Sequence, residues 1–179
     1  MSDCGDVTPI EHLEKNELLG ENVLLAHANY LNAEDVERIS RSGSSVIHCP
    51  RSHEYFQHKR FPWEDLYGAR INLCLGTDSL ATVIKSGKEA PDLNIFSEMQ
   101  LLQTHYGLEP ETVVRSVTLN GAKALGLSGV LGELSVNAKA DMIVIPFSGN
   151  VSGTWDAVVH HSGAVDKVMI EGRWITPSS

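Results

Sequence analysis

The sequence predicts an α/β fold, a parallel sheet built from strand–helix units and followed by a smaller, mostly antiparallel β element. Short apolar runs at Val23–His27, Ser45–Cys49 and Ile71–Leu75 recur at ~25-residue spacing with helical patterns between them, which is how βαβ units read. Each run is apolar on both faces, as a strand covered on both sides requires. From Gly132 onward the helical patterns give way to β segments.

The elements follow in order. Thr8-Pro9-Ile10-Glu11 has the form of a capping box with Pro at the first helical position, so a helix is expected to about Leu19, with Gly20 as its stop. Val23–His27 is the first strand. Asn32 caps the next helix, with Asp35 three residues on; Val36 and Ile39 share its apolar face, and Gly43 ends it. Ser45–Cys49 is the second strand. A long polar loop is expected next, then a short helix over Pro62–Tyr67 ended by Gly68, then the third strand, Ile71–Leu75.

A helix over about Leu93–His105 presents Ile95, Met99 and Leu102 as an apolar stripe. Another runs from Pro110 to about Leu119, and a short one from Ala122 to Leu125. In the tail, the stretch from Gly132 to Ile145 and the stretch Lys167–Ile175 read as β segments, with a tight turn at Glu171-Gly172-Arg173. Three βα units do not close a barrel, which takes eight and usually ~250 residues. Apolar strands with open edges need covering, so either another polypeptide completes this sheet or the chain is part of something longer.

Composition bounds the function. The 179 residues are 42% hydrophobic and 21% charged, enough for one good core with a small second lobe. A formal net charge of -9 and the lack of any basic patch disfavour nucleic-acid binding. Three cysteines make no disulfide framework; Cys49 and Cys74 lie inside apolar strands and read as packing residues. No apolar run approaches the ~18 residues of a membrane span. The acidic N-terminal stretch does not read as a secretory signal, so a cytoplasmic protein is expected.

Chemistry in βα folds collects at the carboxyl ends of the strands, where loops are free to carry polar groups. Asp78 stands at such an end, in Leu75-Gly76-Thr77-Asp78-Ser79. On spacing alone it is either a loop cap or a metal-binding carboxylate. His27 is likewise a satisfied core histidine or a polar group at the same edge. Arg51, Ser52 and His53 follow the second strand on that edge, and are either a solvated loop or contacts for a carboxylate, phosphate or heterocycle. His48 reads as structural, Ser79 as a support for Asp78. His12, His58, His105, His160 and His161 read as surface residues, and Trp63, Trp155 and Trp174 as packing residues. The five-residue steps His48, His53, His58 share no face of a helix or strand, which argues against a metal cluster.

Six motifs in order carry a resemblance over almost the whole chain. Val23-Leu24-Leu25-Ala26-His27-Ala28-Asn29-Tyr30-Leu31 resembles the sixth strand of the amidohydrolase superfamily, in the branch of nucleoside and cytosine-type deaminases and chlorohydrolases. Ile47-His48-Cys49-Pro50-Arg51-Ser52-His53 is similar to its seventh strand and loop, Leu75-Gly76-Thr77-Asp78-Ser79 to its eighth strand, and Asn94–Met99 to the helix that follows. Ala138–Val144 and Val168–Trp174 resemble strands of its small β-sandwich. Within the branch, the Cys49–His53 loop and Gly76–Ala81 resemble members acting on purine-nucleoside-like substrates, among them aminodeoxyfutalosine deaminases.

The resemblance implies a fold of the last three βα units of a TIM-type (β/α)8 barrel over residues 1–127, with the C-terminal part of a small β-sandwich over 128–179. It implies Asp78 as ligand to Zn²⁺ or another divalent metal and as proton acceptor, His27 as the group that orients the attacking hydroxide, and Arg51, Ser52 and His53 as substrate contacts. The family's His-x-His pair, its strand-five His and the neighbouring Glu have no counterpart here. The chain therefore reads as the C-terminal half of a metal-dependent hydrolase of non-peptide C–N bonds that deaminates a small heterocyclic amine, and is expected to be inactive alone. Its partner would be a homo-oligomeric copy or an N-terminal half carrying the missing ligands. The alternatives are a non-catalytic oligomeric half-barrel and one half of a split enzyme.

Overall fold

The computed structural model describes residues 7–84 and 92–175. Three strands, β1 (Leu24–Ala26), β2 (Ser45–His48) and β3 (Leu73–Leu75), form a parallel sheet in the order β1-β2-β3. Leu25 pairs with Val46, and His48 with Leu75. All three start at one edge of the sheet and deliver the following residues, His27, Cys49 and Gly76, to the other.

Helices α1 (Pro9–Lys15), α2 (Ala33–Ser42), α3 (Pro50–Tyr55) and α4 (Trp63–Gly68) lie before and between the strands; α5 (Ile95–Tyr106), α6 (Pro110–Val117) and α7 (Leu119–Ala124) follow. The capping box at Asn32 and Asp35 forms in full, and Gly43 ends α2 in the left-handed conformation, φ 74°. Ile39 on α2, Val46 on β2, Leu66 on α4 and Leu102 on α5 are completely buried. They belong to one core that packs helices against the sheet.

Several expected boundaries move. Helix α1 stops at Lys15, not near Leu19. Glu17 adopts φ 56°, and the Leu18 N–H bonds Leu13 O at 2.9 Å while the Glu17 N–H bonds Glu14 O at 2.9 Å. This is a Schellman stop made without glycine. The same pattern ends α3 at Gln57 (φ 52°) and α4 at Arg70 (φ 59°), so Gly68 is the last helical residue of α4 and not its stop. The polar loop expected after β2 contains α3, opened by Pro50 at its first position.

In the tail, β4 (Met142–Val144), β5 (Lys167–Ile170) and β6 (Arg173–Ile175) form an antiparallel sheet in the order β4-β5-β6. Glu171 and Gly172 join β5 to β6 with φ of 48° and 76°, the two positive values a two-residue hairpin turn of this type needs. Gly132–Leu134 forms a bend and not a strand. A short helix absent from the sequence reading, α8 (Thr154–Val159), packs beside α5 and α6 and buries Val159 completely in the main core. Trp63 is buried as expected. Trp155 and Trp174 are instead 44% and 52% exposed, and His161, expected at the surface, is buried. Among the described residues no helix is long and apolar enough to cross a membrane.

Candidate active site at the carboxyl edge of the parallel sheet

His27, Ser52 and Asp78 come together at the edge where the three strands end. His27 follows β1 directly, its N–H bonding Ile47 O at 2.8 Å. The next amide, of Ala28, bonds back to Ala26 O at 2.8 Å, with His27 at φ 67°. That is a γ-turn of the rare positive-φ kind, a strained way to leave a strand, and it turns the imidazole toward the end of β3. Asp78 also has positive φ, 54°. Its Oδ2 lies 3.9 Å from His27 Nε2, with the side chains 28% and 43% exposed.

Gly76 permits this arrangement. A Cβ there would stand 3.0 Å from Ile47 Cγ2 and 3.3 Å from Cys49 Sγ. Burial pushes the Cys49 thiol up to about 12, against opposing backbone hydrogen bonds from Asp78 and Gly76, so it is a neutral packing group. Cys74 is likewise buried and pushed up to about 11.

One hydroxyl holds the Asp78 carboxylate. Ser52 Oγ, on α3, donates to Oδ2 at 2.5 Å; Thr82 Oγ1 lies 3.4 Å from the same oxygen and donates to the Ser79 carbonyl at 2.9 Å. Ser79, the expected support, instead accepts the Ala81 N–H at 3.2 Å and caps the single 3₁₀ turn Leu80–Thr82. Thr82 carries no signal in the sequence beyond lying one turn past Asp78.

Arg51 is committed to protein groups. Its Nε donates to Glu98 Oε1 at 2.6 Å and its backbone N–H to Glu98 Oε2 at 2.9 Å; the guanidinium also reaches Asp92 and the Asn94 carbonyl at 3.5 and 3.4 Å. Glu98 is completely buried. Burial pushes its carboxyl above the ordinary range, the Arg51 hydrogen bonds oppose this, and the Asp78 charge adds to it. Sequence reasoning missed Glu98, although a lone carboxylate three residues after Ile95 on the stripe of α5 is the kind of residue that is buried only with a partner.

His53 is turned inward, 9% exposed, against His48 and His58 with ring centroids 5.2 and 5.4 Å away. Burial lowers its basicity, and a hydrogen bond with the Lys59 backbone opposes that. His48 stacks on Phe61 at 4.1 Å, and burial brings its imidazole down to about 3. The three histidines thus meet in space, from a strand, a helix and a loop, contrary to their sequence spacing. They do not converge on a metal: among the described residues no group of three or more His, Cys, Asp or Glu side chains can hold one. Asp78 and His27 offer fewer donors than the four of a closed zinc site, or the three protein donors of an open one. The residues described here do not by themselves make a metal centre. Tyr30 Oη and His58 Nδ1 are 2.8 Å apart, tying the loop after β1 to the one after α3.

The family model of the amidohydrolase family matches residues 2–175. The chain belongs to the amidohydrolase family. It is 35% identical over 147 residues to a 5-methylthioadenosine/S-adenosylhomocysteine deaminase of Syntrophobacter fumaroxidans, a match covering 78% of this chain and 32% of the relative. It is 31% identical over 122 residues to an aminodeoxyfutalosine deaminase of Deinococcus radiodurans, covering 68% of this chain and 28% of the relative. Among solved structures, an adenosine deaminase from Xanthomonas campestris with bound zinc superposes with a TM-score of 0.83 at 25% identity, over 96% of this chain and 40% of that one. This amidohydrolase chain thus spans about a third of the length of the curated relatives it matches. Its matching fold agrees with the predicted α/β class.

Proposed function

We propose that this amidohydrolase chain is the C-terminal part of a cytoplasmic, metal-dependent deaminase acting on an aromatic amine of the purine-nucleoside type. The observation that carries the reading is the convergence of His27 and Asp78, 3.9 Å apart, from the ends of β1 and β3. The names of the relatives, deaminases of adenosine-type molecules, support the substrate class. On this reading residues 1–127 correspond to the last three βα units of an eight-stranded barrel, and 128–179, with β4-β5-β6, to part of a small β-sandwich.

The reaction replaces an amino group by oxygen. A water oxygen bonds to the ring carbon bearing the amine, the C–N bond breaks, and ammonia leaves. Asp78 accepts the water proton and passes it to the departing nitrogen, a carboxylate working as general base and then acid. His27 faces the same point and orients the water. Ser52 acts by holding the Asp78 carboxylate, and His53 packs inward against His48 and His58. Asp78 would be this chain's one ligand to a divalent metal; the other donors, and the acid that protonates the ring, would come from polypeptide beyond these residues.

The 179-residue chain alone should not deaminate adenosine-type substrates, and co-production with a polypeptide carrying the His-x-His pair and the strand-five His should restore ammonia release. Turnover by the chain alone with stoichiometric zinc would overturn the fragment reading. A completed, zinc-loaded assembly with no turnover of any adenosine-type amine would overturn the deaminase reading. A second reading, a non-catalytic oligomer, is favoured by exposed apolar side chains on the antiparallel sheet, with Ile143, Ile170 and Trp174 each at least half exposed. A monomer in sedimentation at low concentration would count against it.

A further inference from the structure

Helix α3 has no cap of its own. Its N-cap residue, Cys49, makes no side-chain hydrogen bond to the first turn. One of the free amides there, that of Arg51, is satisfied from another helix: Glu98 on α5 accepts it through Oε2 and takes Arg51 Nε on Oε1. Both oxygens of a completely buried carboxylate therefore grip one residue, through its backbone and its side chain. The next residue is Ser52, 1% exposed, whose hydroxyl donates to Asp78 Oδ2 at 2.5 Å.

Burying an ion pair is an expensive way to hold two helices together. Desolvation offsets much of the attraction, and apolar side chains of similar size serve packing as well or better. What Glu98 and Arg51 add is location, because a fork of two directed hydrogen bonds fixes where the first turn of α3 sits. Ser52 rides on that turn. With Oδ2 of Asp78 taken by Ser52 and approached by Thr82, its Oδ1 has no hydrogen-bond partner among the described residues.

We infer that Glu98 is a positioning residue for Asp78, acting through Arg51 and Ser52 to fix which carboxylate oxygen is held and which faces the reaction. Arg51 then serves the site from behind and is not a substrate clamp. The inference rests on the reading of Asp78 as the working carboxylate. Outer partners of this sort orient the groups that meet metal or substrate, and removing them typically lowers activity ~10- to 100-fold.

The test uses the 179-residue chain with ¹³C-labelled Asp, reading the Asp78 side-chain carboxyl signal by NMR. Ser52→Ala should displace that signal. Glu98→Gln, of equal size, should displace it in the same direction, and in the Ser52→Ala background should add nothing, the coupling expected of groups acting in series. Arg51→Lys, which keeps the charge and loses the fork, should give an intermediate displacement. An unmoved Asp78 signal in a folded Glu98→Gln chain, or displacements that simply add, would overturn the inference. So would unfolding of both Glu98→Gln and Arg51→Lys, which would make the pair scaffold only. These signals need no turnover, so failure of the deaminase reading, seen as absent ammonia release, is separable from failure here. In an assembly that does turn over, Glu98→Gln should lower kcat ~10- to 100-fold with KM little changed.

Discussion

His27 and Asp78 face each other at 3.9 Å although their strands are not neighbours, with β2 running between β1 and β3. Each residue leaves its strand with positive φ, 67° and 54°. Strained backbone at two facing polar residues is what a site looks like when geometry has been kept at the cost of stability. On the proposed reading, in an assembly that turns over, Asp78→Asn should lower kcat for ammonia release by ~10²- to 10⁴-fold, the range of a lost general acid–base group, and His27→Gln by a comparable factor. Wild-type turnover in a folded Asp78→Asn enzyme would remove Asp78 from the chemistry.

The same strain predicts an opposite effect on folding. His27 sits in a positive-φ γ-turn with its side chain 43% exposed, so little packing is lost on truncation. Glycine adopts that conformation freely, at an entropic cost of ~0.5–1 kcal/mol against ~1–3 kcal/mol of strain relieved. His27→Gly should therefore stabilise the chain by about 1 kcal/mol while disabling the site. A rise of the urea midpoint at constant m is the expected result; a fall would mean the turn is not strained.

Asp35 does several jobs at once. It is 1% exposed, accepts the Thr8 hydroxyl at 2.5 Å and the Asn32 N–H at 3.4 Å, and meets Arg38 at 3.3 Å. Asn32→Ala, which removes one cap bond to the Asp35 amide, should cost about 1 kcal/mol. Asp35→Ala also loses the Thr8 tie between α1 and α2, which leaves the pairs of Glu14 with Arg38 and Arg41 to join the two helices, so it should cost more, about 2 kcal/mol. Equal losses in urea denaturation would show that the tie to Thr8 contributes nothing.

Much of this architecture is legible in the sequence where local and tertiary preferences agree. The Asn32 capping box, the Gly43 stop and the buried strand cores are set by neighbours in the chain. What is not legible depends on contacts made late. Glu17, Gln57 and Arg70 stop helices in a conformation that glycine normally signals, so the glycines at 20 and 68 mislead. Helix α3 is hidden by its polar composition, because its inward residues are Ser52 and His53, held by Asp78 and by the edge-on ring of His48. Of the site, Asp78 and His27 announce themselves as polar residues ending apolar strands. Thr82 and Glu98 do not, since only folding shows which carboxylate or guanidinium they meet.

His48 makes the fold sensitive to acid. It is 2% exposed, stacked on Phe61, and burial brings its imidazole from an ordinary 6.5 to about 3, with the nearby His53, His105 and His27 acting in the same direction. The unfolded chain takes up a proton below pH 6.5 that the folded chain refuses. The contribution is therefore fully present above pH 6.5 and is lost as pH falls toward 3, amounting to about 2 kcal/mol by pH 5. His53, lowered by burial too, adds in the same sense, whereas Glu98, raised by burial, works the other way and favours the fold as its carboxyl protonates. His48→Phe separates these terms. It keeps a flat ring against Phe61 and removes Nε2, which is buried without a hydrogen-bond partner. Urea unfolding between pH 7 and pH 5 should show a shallower loss of stability in His48→Phe than in the parent chain. Parallel pH profiles for the two would mean that His48 is not kept neutral by the core.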